Sequence, residues 1–283
     1  MTAPPWLLFK RDFHAVGVRR NGGSPASPDL CDRQVLSVDR SARRFWFPTH
    51  RLHAVFMPPG APIPFLFRDL AHARSVLDGE IGKAALARLG PTGLVGLAWG
   101  ENGLRHLTTT DRAVRRPEDL KNLKLRVPQS EVMVASFKAI GAAVGSLPFP
   151  ELYTALSSGA FQAEENPIAT VLAGNFDKVQ HYLCLTGHVY SPAAFLISKR
   201  AFERISPEDQ SMLRAASIVG SKASRAYIDR VEKSGIEELR RRGMKVVEDI
   251  DRPAFVASLA SLEGQFQKQF GKDNIDAIRA FGK

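Results

Sequence analysis

The chain has 283 residues, of which 44% are hydrophobic and 24% charged, a composition typical of a globular protein with one large or two modest domains. It contains no run of about 18 or more apolar residues, the pattern that predicts a membrane-spanning helix. The net charge of +10 comes without a basic face interleaved with aromatic residues, so it does not indicate a nucleic-acid-binding protein.

The first 57 residues are poorly patterned. They hold nine Lys or Arg residues and four Asp residues, which is half of the net charge, and a breaker-rich stretch at Gly22–Pro28. The apolar run Trp6–Phe9 is shorter than the roughly 7–15 residues of a signal-peptide core, and basic charge follows it instead of preceding it. We therefore expect no signal peptide in this sequence.

The pattern from residue 69 to residue 110 predicts a helix and then a hairpin. Apolar residues recur at helical spacing from Asp69 to Leu89, and Gly90 with Pro91 ends the helix. The predicted hairpin consists of the strand 94–99, the turn 100–103 and the returning strand 104–110.

Residues 117–167 carry the most informative pattern. Leu123, Leu125 and Val127 alternate with basic residues, which predicts a strand that Pro128 ends. Ser130 is a suitable N-cap for the helix that follows. This β-α-β-α-β order with short connections predicts a parallel α/β layer. Its strands are predicted at 123–127, 143–147 and 160–165, and its helices at 130–140 and 150–158.

A long helix is predicted in the C-terminal part of the chain. Ser206 with Pro207 is a strong N-terminal signal, and the helix continues to Arg242, where Gly243 ends it. A helix of roughly 37 residues exceeds the usual length, which favours an element that bridges two domains. A short strand at 246–247 and helices at 253–270 and 274–281 complete the prediction.

Three residues of the parallel layer are candidates for a binding site. Ligands of open α/β sheets bind beyond the carboxyl ends of the strands, where Arg126, Phe149 and Asn166 are predicted to lie. Arginine offers a planar fork that matches a carboxylate, phenylalanine an apolar wall, and asparagine a donor and an acceptor. Together they predict a pocket for a small anion, although a lone arginine at a strand end is also compatible with a structural ion pair.

The sequence carries no recognisable catalytic or metal-binding motif. It has no HExxH, GxSxG, P-loop or GxGxxG pattern. His181 and His188, with Cys184 between them, lack the spacing and further ligands of a metal site. Glu164 and Glu165 are adjacent on a predicted strand and point to opposite faces, so they are not an acid/base couple. We therefore predict a protein that is not an enzyme.

Six segments of the chain resemble motifs of one known protein family. They are Pro64–Asp69, Asn102–Arg105, Pro117–Pro128, Phe149–Gly159, Glu165–Pro167 and Thr186–His188. The motifs that they resemble are those of the solute-binding proteins of TRAP (tripartite ATP-independent periplasmic) transporters. The likeness covers about residues 58–283, and the motifs keep the family's order and spacing.

The resemblance implies an α/β, two-domain, type II periplasmic-binding-protein-like fold that closes on its ligand, with the long helix spanning both domains. Domain I would comprise 58–103 and 192–231, and domain II 104–191 and 232–283. The non-matching segment 1–57 leaves the first lobe incomplete.

The resemblance also assigns roles to five residues. Arg126 would form the salt bridge to the ligand carboxylate, and Arg105 would be a second cationic contact. Asn166 would be a hydrogen-bond partner, Phe149 a packing wall and His188 a nearby polar residue. The protein would be a periplasmic monomer that delivers a small organic carboxylate to a small and a large membrane subunit, with no cofactor and no metal.

The sequence departs from the family near the predicted site. The family usually has V-D-G-Q-E-N, whereas residues 161–166 read Phe-Gln-Ala-Glu-Glu-Asn, with an extra acid. The ligand could therefore be a dicarboxylate, a sugar acid, a keto acid or an aromatic acid. Two alternatives to a binding subunit stay open at this point: a truncated family member that binds nothing, and an uncharacterised α/β enzyme.

Overall fold

The computed structural model describes residues 62–282 of the chain. The prediction for the non-matching segment 1–57 lies outside the described residues. Within the described part, no helix combines the length and the hydropathy that a bilayer span requires.

One mixed sheet organises the described residues. Its strands follow the order β3-β2-β4-β1-β5-β6, in which β2 pairs in parallel with β3 and β4, whereas β1 pairs antiparallel with β4 and β5. Strand β6 pairs in parallel with β5. The strands are β1 (Leu94–Thr109), β2 (Lys124–Val127), β3 (Ala143–Ser146), β4 (Ala163–Pro167), β5 (Tyr182–Ser198) and β6 (Lys245–Val247).

Helices connect and flank these strands. The α-helices of residues 62–282 are α1 (Leu70–Asp78), α2 (Glu80–Ala87), α3 (Glu131–Ala139), α4 (Leu152–Ser157), α5 (Ile168–Ala173), α6 (Lys199–Phe202), α7 (Pro207–Arg241), α8 (Arg252–Ser258), α9 (Glu263–Phe270) and α10 (Lys272–Ala280).

The predicted parallel layer is confirmed. Strands β2, β3 and β4 lie side by side in parallel, with α3 and α4 as the connecting helices. The hydroxyl of Ser130 accepts a hydrogen bond from the backbone N–H of Met133, as the N-cap signal predicts. Leu125 and Val127 are fully buried in the core beneath the sheet, which places Arg126 on the opposite face.

The predicted hairpin at 94–110 is wrong, because this segment is one continuous 16-residue strand. Gly103 adopts a φ of +101°, which glycine tolerates, and lies at an irregularity in the pairing of β1 with β5. The glycine therefore produces a bulge instead of a chain reversal, and pairing with the equally long β5 keeps β1 continuous.

Two predicted helices are also interrupted. The helix expected over 69–89 is divided at Gly79 into α1 and α2, because Gly79 adopts an extended backbone with φ −79° and ψ −172°. The helix expected over 253–270 is divided into α8 and α9 by a short 3-10 turn at Ala260–Leu262.

The long helix is confirmed as α7, with 35 residues. The Ser206 hydroxyl accepts from the backbone N–H of Asp209, and Gly243, with a φ of +99°, follows the helix end. In its middle, the Ser221 hydroxyl donates to the carbonyl of Trp99, and further along Gly235 packs against Ile168. The helix therefore contacts residues of both predicted domains, although the domain boundaries themselves stay a prediction.

Candidate functional site

The candidate site lies on β4 and on the strands beside it. All five residues of β4 are buried, although the strand contains two glutamates and an asparagine. Glu164 lies opposite Arg126 of β2 on one side and opposite Thr108 of β1 on the other. Burial of this many polar groups is costly unless they are mutually paired, so their partners define what the site can do.

Arg126 is buried, with 2% of its surface exposed, and has no carboxylate partner among the described residues. Its Nε donates to the carbonyl oxygen of Leu147 at 2.9 Å, and its Nη2 donates to the same oxygen. Burial lowers the pKa of Arg126, and the nearby Glu165 and Glu164 carboxyls oppose that effect. An arginine keeps its charge under such conditions, so Arg126 is a buried cation with only a backbone acceptor.

Arg105 is already paired with the carboxylate of Glu165. Its Nε lies 2.5 Å from Oε2 of Glu165, and its Nη2 lies 2.8 Å from Oε1 of the same residue. Burial acts to lower the pKa of Arg105, but Glu165 outweighs burial and raises it. For Glu165, Arg105 and His188 outweigh burial and lower the pKa of its carboxyl. This pair is therefore ionised and internally neutral.

His188 is held in one tautomer by its two neighbours. Its Nε2 lies 3.2 Å from Oε2 of Glu165, which can only accept, so Nε2 carries the hydrogen. Its Nδ1 then accepts from the hydroxyl of Thr186 at 2.7 Å. Burial lowers the pKa of His188, against the effect of Glu165, so the ring is neutral at pH 7.

Asn166 links Arg105 to Glu164. Its Oδ1 accepts from Nη2 of Arg105 at 3.1 Å, and its Nδ2 donates to Oε2 of Glu164 at 2.5 Å. Glu164 is fully buried, and its other oxygen lies 2.9 Å from the hydroxyl of Thr108. Burial, followed by the charge of Glu165, raises the pKa of Glu164 to about 7.

The structure brings together three of the five predicted site residues: Arg105 bonds Asn166 directly, and Glu165 connects Arg105 to His188. Arg126 lies close enough for electrostatic coupling to Arg105 and Glu165 without a hydrogen bond to them. Phe149 is 51% exposed, and the ring that it contacts is that of Phe176, at 6.1 Å.

The aromatic ring that contacts His188 is that of Phe137, edge to face at 5.2 Å. A small cavity beside His188 is mostly apolar, and its lining includes Pro64, Phe65, Leu107, Phe137, Ile140 and Phe255. Sequence reasoning missed Phe137 as a site residue because it lies on the apolar face of α3, which predicts a core position. It also missed that Glu165 pairs with Arg105 and His188, and that Glu164 contacts Asn166 and Thr108. Two adjacent acids in a short predicted strand were the available signal.

The arrangement is suited to binding an anion. Arg126 supplies an unpaired positive charge, and its Nη1 donors make no hydrogen bond to the described residues. No group of three or more potential metal ligands occurs in the described part of the chain. Near Arg126, the charges of Arg105 and Glu165 cancel each other. When Glu164 is protonated and therefore neutral, the site carries an excess of one positive charge.

Comparison with known proteins identifies the family and the relatives that the chain is similar to. The family described as bacterial extracellular solute-binding protein, family 7, matches residues 61–269. A solute-binding protein of Verminephrobacter eiseniae is 45% identical over 218 residues, which are 77% of this chain and 65% of that protein. The 2,3-diketo-L-gulonate-binding periplasmic protein YiaO of Escherichia coli is 38% identical over 211 residues, or 75% and 63% of the two chains. The chain thus spans somewhat less than two thirds of the length of these relatives.

A solved structure is similar over most of the described residues. It is the crystal structure of a TRAP periplasmic solute-binding protein from a Polaromonas species, bound to D-erythronate, with 39% sequence identity and a TM-score of 0.79. The similarity covers 83% of this chain and 78% of that chain. It confirms the predicted fold class.

Proposed function

The chain belongs to the bacterial extracellular solute-binding proteins of family 7, and from this premise we propose that it binds a small hydroxylated monocarboxylate and does no chemistry on it. The observation that carries the proposal is the buried guanidinium of Arg126, which has no carboxylate partner among residues 62–282. A ligand carboxylate supplies the missing charge and accepts from the free donors in the fork geometry that arginine favours.

The number of free cations favours a ligand with one carboxylate. Arg105 and Arg126 are both candidates for anion contacts, but Glu165 already neutralises Arg105 through two hydrogen bonds. A second ligand carboxylate would have to approach Arg105 in the presence of Glu165, and like charges at close range repel. A dicarboxylate is therefore expected to bind more weakly than a monocarboxylate of the same length.

Neutral polar groups favour hydroxyl groups on the ligand. Asn166, Thr186 and His188 are held in fixed orientations by the Arg105–Glu165 pair and by one another. Fixed neutral donors and acceptors suit hydroxyl or keto oxygens better than charged groups. The E. coli relative is named for 2,3-diketo-L-gulonate, and the Polaromonas protein was solved with D-erythronate; both are hydroxylated monocarboxylates.

The five predicted residues keep distinct roles in this proposal. Arg126 binds the carboxylate, and Asn166 offers its second Nδ2 hydrogen to a ligand oxygen. Arg105 and His188, which are both bonded to Glu165, form the polar wall beside it. Phe149 follows Leu147, the acceptor of Arg126, by two residues, and would form the outer apolar edge when ligand is bound. The protein would act in the periplasm as a monomer and deliver its ligand to the membrane subunits of a TRAP transporter.

Ligand-induced stabilisation of the 283-residue chain tests the proposal. Urea unfolding would be followed with D-erythronate, with 2,3-diketo-L-gulonate, and with succinate as the dicarboxylate comparator. A ligand present at 100 times its dissociation constant adds roughly 2.7 kcal/mol to the free energy of unfolding. We expect stabilisation by the two monocarboxylates and less by succinate at equal concentration. The absence of stabilisation by all three acids, or consumption of an acid by the protein, would overturn the proposal.

A further inference from the structure

Glu164 is a buried acid for which the proposed carboxylate contact gives no role. It is the second residue of β4, with none of its surface exposed. Several polar groups of β4 and of the neighbouring strands surround Glu164. They are Glu165 and Asn166 of β4, Arg105, His106 and Thr108 of β1, Arg126 of β2, His188 of β5, and Gln180, which precedes β5.

One oxygen of Glu164 is a hydrogen-bond acceptor. The guanidinium of Arg105 can only donate, so the atom of Asn166 that it contacts must be Oδ1. The other amide atom of Asn166, Nδ2, therefore faces Oε2 of Glu164 and donates to it. This contact is satisfied whether Glu164 is ionised or neutral.

The other oxygen of Glu164 faces a hydroxyl whose hydrogen is already committed. Nε2 of Gln180 lies 2.9 Å from the carbonyl of Val179, which requires a donor, so Oε1 of Gln180 faces the hydroxyl of Thr108 at 3.1 Å. The same Thr108 hydroxyl lies 2.9 Å from Oε1 of Glu164. A hydroxyl has one hydrogen, so it cannot donate fully to both acceptors.

A proton on Glu164 resolves this shortage. The carboxyl O–H of Glu164 then donates to the oxygen of Thr108, and the Thr108 hydroxyl donates to Gln180, so every buried polar atom in the chain of contacts has a partner. An ionised Glu164 would leave two acceptors in competition for one hydrogen in a buried environment, which is unfavourable.

We propose that Glu164 carries a proton in the ligand-free site near neutral pH, and that this proton makes the affinity for an anionic ligand depend on pH. The second half of the statement rests on the proposed function, because it concerns the same site. The direction of the pKa of Glu164, raised by burial and by Glu165, agrees with the hydrogen-bond geometry.

The physical link between Glu164 and the ligand is the charge of Arg126. In the empty site, Arg126 and Glu164 attract each other when both are charged, so Arg126 favours the ionised form of Glu164. Arg105 acts in the same direction on the pKa of Glu164. A bound carboxylate neutralises Arg126 and adds a negative charge nearby, so the pKa of Glu164 rises further. Binding is then accompanied by proton uptake, and affinity falls as the pH rises through neutrality. A rise of one pKa unit corresponds to roughly a tenfold change in affinity.

The experiment begins without ligand, so that it does not depend on the proposed function. The chain is labelled with carboxyl-¹³C glutamate, and each carboxyl is titrated by NMR in the parent and in Glu164→Gln. We expect one carboxyl that titrates near neutral pH in the parent and is missing in Glu164→Gln. Glu118→Gln, which removes a charge from an exposed residue outside the site, is the matched control and should leave this resonance unchanged. A Glu164 resonance that titrates near the ordinary value for a glutamate would overturn the proposal.

Calorimetry with D-erythronate then tests the coupling. The parent should bind roughly tenfold more weakly at pH 8.5 than at pH 6, and should take up protons when two buffers of different ionisation enthalpy are compared at pH 7.5. Glu164→Gln should show neither effect, whereas Glu118→Gln should behave like the parent. Binding by the parent with no pH dependence and no proton uptake would overturn the coupling and leave the proposed function standing. Failure of D-erythronate, 2,3-diketo-L-gulonate and succinate alike to bind at any pH would overturn both the coupling and the proposed function, while the NMR titration still decides whether Glu164 is protonated.

Discussion

Arg105 and Glu165 form a two-point ion pair, with 2.5 Å between Nε and Oε2 and 2.8 Å between Nη2 and Oε1. The pair joins β1 to β4, and the carboxylate is fully buried. Because Glu165 is paired with Arg105, the neighbouring Arg126 has no acidic partner within residues 62–282. We regard this division, one neutralised arginine beside one free arginine, as the feature that sets the charge of the ligand.

Release of Arg105 should change the preference of the site. In Glu165→Gln, Arg105 loses its counter-charge, so a second ligand carboxylate becomes favourable. We expect the affinity ratio of succinate to D-erythronate, measured by calorimetry, to rise about tenfold or more, since one close charge pair contributes more than about 1.4 kcal/mol. Glu131→Gln, at an exposed position of α3, is the control. An unchanged ratio in a folded Glu165→Gln protein would contradict the charge assignment.

A second buried ion pair should contribute to stability. Arg74 of α1 donates to both oxygens of Glu101, whose side chain is fully buried, and also to Asp229 of α7. Arg74→Met leaves Glu101 buried without a counter-charge, which should cost about 3–5 kcal/mol in urea unfolding. The double variant Arg74→Met/Glu101→Met should recover much of this loss.

The control for this pair is Lys83→Met, which removes an exposed ion pair with Glu80 and should have no measurable effect. If Arg74→Met were no less stable than Lys83→Met, the pair would not be a buried structural contact.

Close packing of the long helix should make Gly235 intolerant of a large side chain. A Cβ at Gly235 would lie 2.8 Å from Ile168 and 2.9 Å from Leu172 of α5. Gly235→Leu should therefore lower the free energy of unfolding by about 1–3 kcal/mol, the usual cost of overpacking. Gly264→Ala in α9 meets no atom within 4 Å and should stabilise by up to about 1 kcal/mol. A Gly235→Leu protein as stable as the parent would show that α7 does not pack against α5 in this way.

The protonation of Glu164 should also be visible in stability. Its pKa is raised from an ordinary value of 4.5 to about 7 in the folded protein. The folded state therefore binds the proton more tightly than the unfolded state, and the parent loses stability relative to Glu164→Gln as the pH rises from about 4.5 to 7. The total loss of the parent relative to Glu164→Gln should be about 3 kcal/mol in the free energy of unfolding, and no further loss is expected above pH 7. Urea unfolding at pH 5 and pH 8 measures it; an equal difference at both pH values would refute the assignment.

The sequence predicted those parts of the fold that local signals determine. The N-cap at Ser206, the glycines after helix ends and the alternation at 123–127 gave α7 and the parallel strands correctly. The bulge at Gly103 could not be distinguished from a turn, because only pairing with the distant β5 keeps β1 extended. The break at Gly79 was likewise missed, since the helical periodicity of apolar residues continues across it.

The site was predicted less completely than the fold. Arg105, Asn166 and His188 were expected to be site residues, and they do lie together. The residue that links Arg105 to His188 is Glu165, which lies in the matching segment Glu165–Pro167 but was assigned no role there. Charge pairing across strands depends on register, and register between β1 and β4 is a tertiary property. Phe149 and Phe137 show the same limit, because an aromatic residue in sequence does not reveal which surface it covers.

The central claim is that Arg126 binds the ligand carboxylate, and one calorimetric titration with D-erythronate tests it most directly. Removal of one partner of a desolvated ion pair costs about 2–5 kcal/mol, so Arg126→Ala should weaken binding roughly 30-fold or more. Arg126→Lys should also be impaired, because an ammonium group cannot reproduce the fork, whereas Arg204→Ala, at an exposed position, should bind like the parent. If the folded Arg126→Ala protein binds D-erythronate as tightly as the parent, Arg126 is not the carboxylate contact and the account of the site is wrong.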